Sequence, residues 1–243
     1  MNNLIVLFGL PRTGSNNVCS LLNNSNNIIY NSEDFNGRLG IKCMNSDIKK
    51  YLIEKTNMEE DNLHKYIKCN PYNYIKLLTN FRTNEFKLLK IFYSHLSMTK
   101  IINILKSDCK KIILKRNFLE IYLSNEIAEK INKWYNFDTS NIKIKIDFND
   151  FIKHYKIWHI YYKKLEEYKD QNTVLINYND FSKLNQLEQY NFFKNKLAKI
   201  NIELDEKMTI NNHFNKQSKM PIEKQIINYS EIKYWSDKYN LEI

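Results

Sequence analysis

The chain has 243 residues and a formal net charge of +10, from 37 Lys and Arg against 27 Asp and Glu. That length suits one domain over residues 1–243 with a core of its own, and no Gly- or Pro-rich linker or internal repeat divides it. No apolar run is long enough to span a bilayer, and Cys19, Cys43, Cys69 and Cys109 lack the spacing of a zinc site or a disulfide framework. The lysines are scattered beside acidic and amide residues, which reads as a solvated surface and not a nucleic-acid motif. A soluble intracellular, cytoplasmic protein with reduced, mostly buried thiols is expected.

Leu4–Phe8 is an apolar run that reads as the central strand of a parallel sheet. It ends in Gly9-Leu-Pro-Arg-Thr-Gly-Ser15, which holds two of the chain's four glycines, and an amphipathic segment, Asn16–Asn23, follows. Strand, glycine loop and helix in that order make an anion site, because a helix N-terminus offers unpaired N–H donors and the positive end of a dipole. Gly9 and Gly14 let the backbone curl round a phosphate, and Arg12 adds a planar cationic donor fork. The G-x-x-x-x-G of a Walker A loop is present, but Ser15 stands where its Lys would follow. An ATP-splitting enzyme needs that Lys on the terminal phosphates, so another phosphate-binding chemistry is indicated.

Ile28–Tyr30 reads as a second short strand, running into Asn31-Ser-Glu-Asp-Phe35 and a loop with Gly37 and Gly40. Asp47–Lys55 and Pro71–Phe81 have helical periodicity, with Pro71 suited to a first helical position. Phe86–Phe92 reads as a strand with Lys87 and Lys90 interposed. Ser97–Lys106 is a predicted helix with Ser97 as its N-cap. Lys110–Lys115 is a buried strand that delivers Arg116 at its carboxyl end, and Phe118–Lys133 is a helix with Leu119, Leu123, Ile127 and Ile131 at four-residue steps. Asp147–Lys169 follows as a long aromatic-rich helix, Thr173–Asn177 as a last strand, Leu184–Ile200 as a helix, and a short terminal helix starts at Ser230. Alternating strands and helices predict an α/β fold, a P-loop-like three-layer sandwich with a central, mainly parallel sheet flanked by helices. In such folds ligands sit beyond the carboxyl ends of the strands, where the glycine loop and Arg116 both fall. Ser124, two turns into the next helix, can join Arg116 in clamping a second phosphate.

These residues resemble the PAPS-dependent sulfotransferases, PAPS being 3′-phosphoadenosine-5′-phosphosulfate. Gly9–Ser15 looks like their 5′-phosphosulfate loop. Lys111-Ile-Ile-Leu-Lys-Arg-Asn-Phe-Leu-Glu-Ile-Tyr-Leu-Ser124 looks like their 3′-phosphate unit, with Arg116 and Ser124 at that motif's eight-residue spacing. Asn31-Ser-Glu-Asp-Phe35, Phe86–His95 and the run from Asn125 to Trp134 are similar to the bacterial branch of trehalose-sulfotransferase and nodulation-factor type. Val174–Phe181, Lys216-Gln-Ser-Lys219 and Ile226–Tyr229 resemble later family segments. The sequence departs from the pattern at Asn16 and Asn17, which replace hydroxyl residues, at Asn31-Ser32, which replaces a Gly, and at Asn179, which replaces a Glu.

The resemblance implies sulfuryl transfer from PAPS to an acceptor hydroxyl on a carbohydrate or glycolipid, without nucleic acid and without a metal. It implies Glu33 as general base, with Asp34 as a neighbouring competitor, and Arg12 as the cation on the reacting oxygens. Thr13, Gly14, Ser15, Asn16 and Asn17 would hold the 5′ end, Arg116 and Ser124 the 3′-phosphate, and Lys216, Gln217 and Lys219 would close over the nucleotide. His95, Tyr93 and Trp134 would face the acceptor or, for Trp134, the adenine, although core packing is favoured for Trp134. Trp158 and Tyr161 are candidates for sugar stacking or, more simply, core. The alternatives are a phosphate-loop small-molecule kinase lacking the Walker Lys and a nonenzymatic nucleotide- or nucleic-acid-binding protein.

Overall fold

The computed structural model describes residues 2–36, 44–134, 137–205 and 220–243. Among the described residues, five strands form one parallel sheet: β1 (Leu4–Gly9), β2 (Ile28–Tyr30), β3 (Phe86–Phe92), β4 (Lys110–Lys115) and β5 (Thr173–Asn177), in the order β2-β3-β1-β4-β5. β1 is buried along its whole length, as a strand covered on both faces must be. Its alternation divides the core: Leu4, Val6 and Phe8 face one cluster, Ile5 and Leu7 the other. The layer against Ile5 and Leu7 is built from α1 (Ser15–Asn23) and the later helices α8 (Tyr178–Phe181) and α9 (Gln186–Ala198). The opposite layer holds α2 (Ser46–Thr56), α3 (Glu60–Cys69), α4 (Pro71–Thr79), α5 (Met98–Leu105), α6 (Phe118–Ile131) and α7 (Phe148–Glu167). Two further helices, α10 (Ile222–Gln225) and α11 (Tyr229–Lys238), follow, and Ile144 bridges Ile226. The predicted three-layer sandwich is therefore the observed one.

Helix ends are set by local chemistry. Asn117 caps α6 by accepting from the Glu120 N–H, Asp147 caps α7, and Asn185 with Glu188 forms a capping box that starts α9 at Gln186, not at Leu184. Ser97 occupies the N-cap of α5 without a side-chain cap bond. The helix α3 was not anticipated; Leu63 and Ile67 alone bury its inner face, too sparse a pattern to stand out. Trp158 and Tyr161 are buried core residues of α7. Of the described cysteines, Cys19 and Cys109 are buried, but Cys69 is exposed at the end of α3. Among the described residues no helix is long and apolar enough to cross a membrane, and no cluster of His, Cys, Asp and Glu could hold a metal ion.

Candidate active site

β1 lies between β3 and β4, so its loop emerges at the switch point of the sheet. The loop is shaped from within. Arg12 has φ 70° and Gly14 φ 82°, both left-handed, and the buried Thr13 hydroxyl donates to the Leu10 carbonyl at 2.8 Å. Gly14 is required twice over: by its φ, and because a Cβ there would lie 2.6 Å from the Tyr178 ring. The hydrogen-bond ladder of α1 opens with Val18 N–H on the Gly14 carbonyl at 3.2 Å, and no side chain caps its N-terminus. Ser15 is buried at that first turn. Asn16 accepts from the Lys90 ammonium, whereas the Asn17 amide is turned to Gln189 of α9, 3.0 Å away.

Two guanidiniums meet beside this loop. Arg116, at the end of β4, donates from Nη1 to the Arg12 carbonyl at 2.8 Å and from Nε to Glu120 at 2.7 Å, and its guanidinium lies 4.4 Å from the Tyr178 ring centroid. Arg12 Nε donates to Ser124 Oγ at 2.9 Å and Nη1 to the Trp134 carbonyl. Ser124 is thus bonded to Arg12 and not directly to Arg116, and Arg12 links the two predicted phosphate sites. Burial, and then the charge of Arg116, push the Arg12 guanidinium down to about 10.

On the other side of β1, a second group gathers around Glu33. The chain leaves β2 still paired with β3 (Asn31 N–H to the Leu88 carbonyl, 3.0 Å; Lys90 N–H to the Ser32 carbonyl, 3.3 Å), and Ser32 at φ 73° then turns it. This sets the Glu33 carboxylate on Lys90, 2.7 Å from Nζ, with Asn36 Nδ2 donating to its other oxygen at 2.7 Å. His95 accepts the Phe92 N–H on Nδ1 at 3.2 Å, so its neutral form carries its proton on Nε2, which lies 3.7 Å from Glu33. Burial alone would raise the Glu33 carboxyl, but the charge and hydrogen bond of Lys90, with Asn36 and His95, hold it below its usual value. Burial, with Lys90, lowers His95 to about 4 despite Glu33, so near neutral pH an ionised carboxylate faces a neutral imidazole.

Asp34 diverges from Glu33. It is fully buried, accepts from Asn31 Nδ2 at 2.7 Å and from the Tyr74 hydroxyl, and burial raises it to about 8. Asp34 is thus enclosed, whereas Glu33 keeps part of its side chain exposed.

Of the acceptor-side residues, His95 is buried and bonded as described, and Tyr93 is half-buried with its ring edge-on to Tyr161 at 6.2 Å. Trp134 corrects the expectation of core packing: it is 44% exposed, just past the end of α6. Lys216, Gln217 and Lys219 lie outside the described residues. The group that sequence reasoning overlooked is Lys90. Its signal was present: a lysine in the middle of a strand buried on both faces requires a partner, and Lys90 is 1% exposed.

Fold and site together define an α/β phosphate-loop protein in which arginines, not a Walker lysine, stand at the strand ends. The family described as the sulfotransferase domain matches residues 3–224, and the chain belongs to that family. A solved structure, "Sulfotransferase Domain from the Curacin Biosynthetic Pathway", is similar at a TM-score of 0.52 and 12% identity, over 100% of this chain and 99% of that one. At that identity the likeness speaks for the fold alone. No curated protein matches the sequence.

Proposed function

We propose that residues 1–243 form one sulfotransferase domain that moves a sulfuryl group from PAPS to an acceptor hydroxyl by in-line displacement, with Glu33 as general base. The observation that carries this reading is the order of groups along the carboxyl edge of the sheet: Glu33 after β2, Lys90 and His95 on and after β3, Arg12 after β1, Arg116 after β4. Three strand spacings separate the first from the last, roughly 14 Å. Two guanidiniums, a hydroxyl and a helix N-terminus are a donor set that suits a nucleotide phosphorylated at both ends.

PAPS, when bound, supplies the sulfuryl group and a phosphate leaving group. The chain's own residues do the rest. Arg12, Thr13, Gly14, Ser15 and Asn16 hold the 5′ end, and Asn17 supports the loop through Gln189. Arg116 and Ser124 hold the 3′-phosphate, which separates PAPS from ATP. Glu33 takes the acceptor proton as the acceptor oxygen–sulfur bond forms. The bridging oxygen–sulfur bond breaks, its electron pair leaving with adenosine 3′,5′-bisphosphate, and Arg12 with Lys90 steadies the charge that builds on the reacting oxygens. His95 faces Glu33 with Nε2–H at 3.7 Å, beyond direct hydrogen-bond reach, and adds electrostatic support to the base; that tautomer has no lone pair on Nε2 with which to replace it. The acceptor is read as a carbohydrate or glycolipid hydroxyl, with Tyr93, His95 and the exposed Trp134 ring facing it.

Calorimetry with adenosine 3′,5′-bisphosphate against ATP tests the donor. The bisphosphate should bind more tightly, and Arg116→Ala should remove most of that preference. Equal binding of ATP by the native protein would instead favour a kinase that has lost its lysine.

A further inference from the structure

Consecutive carboxylates at Glu33 and Asp34 point to different surroundings, and the second has no part in the chemistry above. Asp34 sits in a closed triangle. Asn31 Nδ2 donates to Asp34 Oδ2 at 2.7 Å and to the Tyr74 hydroxyl at 2.8 Å, and Tyr74 donates to the same Asp34 oxygen. All three side chains are wholly buried. The triangle is anchored on both sides: Asn31 Oδ1 accepts the Asn45 N–H at the start of α2, 3.2 Å away, and Phe35 packs edge-on against Tyr74 of α4, centroids 5.6 Å apart. Asp34 Oδ1 has no hydrogen-bond partner among the described residues. An acid whose second oxygen is dry and unpaired is best accommodated neutral, with its proton on that oxygen and its carbonyl oxygen accepting both donors.

We infer that Asn31, Asp34 and Tyr74 form a positioning clasp, which ties the loop that carries Glu33 to α2 and α4 and so sets where the Glu33 carboxylate stands over Lys90 and His95. The clasp touches no reacting atom. It acts through a two-residue lever: Asn31 continues the β2–β3 pairing, Ser32 turns, and Asp34 pins the far side, leaving Glu33 between two fixed points. Without the pin the carboxylate is held by its own partners alone, on a loop free to shift, and a displacement of about 1 Å can cost about 10²-fold in turnover. The inference rests on the reading of Glu33 as base for its catalytic meaning, but its geometric content stands apart.

The test uses the 243-residue chain and the His95 imidazole as a reporter, followed by ¹⁵N NMR titration, because Nε2 of His95 faces Glu33. Asp34→Asn, which mimics the neutral acid, should leave the His95 titration and turnover near native. Asp34→Ala and Tyr74→Phe should both move the His95 titration and lower kcat about 10²-fold, with the affinity for adenosine 3′,5′-bisphosphate within about two-fold, since the clasp lies away from Arg116 and Ser124. Turnover is read as bisphosphate release from PAPS with an offered panel of sugars and phenols. Tyr74→Phe removes one oxygen and keeps the ring, so it serves if Asp34→Ala does not fold. An unmoved His95 titration in Tyr74→Phe overturns the clasp. So does Asp34→Asn as inactive as Asp34→Ala, which would make Asp34 a participant in proton transfer. If the titration moves as expected yet Glu33→Gln keeps full turnover, the base assignment fails and the clasp stands.

Discussion

The two halves of the carboxyl edge handle charge in opposite ways. Between β1 and β4, Arg12 and Arg116 are brought together at partly buried positions, close enough that the charge of Arg116 disfavours that of Arg12, with Glu120 the carboxylate paired to Arg116. Between β2 and β3, Lys90 and Glu33 neutralise one another at 2.7 Å and a neutral His95 completes the group. The first half carries a net excess of cations, which suits the proposed binding of an anionic donor. The second is balanced, which suits the proposed proton acceptor. A protein that binds an anionic donor and deprotonates a neutral acceptor needs both, side by side and unlike.

Substitutions can break each half separately. The largest effect is expected for Glu33→Gln, which should lower transfer by about 10²–10⁴ while bisphosphate affinity stays native; retained turnover would move the base elsewhere. Lys90→Met comes next. It leaves a buried carboxylate without its cation, and denaturant unfolding should show a loss of about 3–5 kcal/mol. If stability were unchanged, the balanced half would not be a buried ion pair in solution. Arg116→Ala should weaken bisphosphate binding by about 1.5–3 kcal/mol, the worth of a charged hydrogen bond, with little effect on ATP.

The smallest effect sharpens the contrast by pH. Asp34 is raised from 3.8 to about 8, so the folded chain keeps a proton that the unfolded chain releases; its stabilisation is full below 3.8 and is lost as pH rises toward about 8. His95 is lowered from 6.5 to about 4, so folding loses stability as pH falls across that interval. Urea melts across pH should show Asp34→Asn flattening the alkaline-going decline, by at most about 1.4 kcal/mol per pH unit. A native slope in that variant would place the buried proton on another group.

The phosphate loop was legible because its chemistry is local: apolar strand, glycines at fixed offsets and helix are contiguous in Leu4–Asn23, and the backbone angles at Gly14 follow from residue type. Arg116 was legible for the same reason, as the residue that ends an apolar strand. The Glu33 side was less so. Its motif marked the loop, but nothing in Asn31-Ser-Glu-Asp-Phe35 says which carboxylate faces the cleft and which is buried, since that depends on Ser32 turning left-handed and on Tyr74, forty residues further on, receiving Asp34. Trp134 misled because aromatic residues after an apolar helix usually pack inward, whereas here the helix ends at Ile131 with Asn132 left-handed, and the ring emerges beyond it.

Periodicity and glycine placement by themselves determined the strands, the parallel α/β order and the anion loop, because strand alternation, helix faces and turn conformations are properties of neighbouring residues. The partners of Lys90, the linkage of Arg12 to Ser124 and the separate fates of Glu33 and Asp34 were decided by the tertiary structure alone. Each joins segments dozens of residues apart, and the energy of a buried charge or hydrogen bond depends on what the fold sets against it.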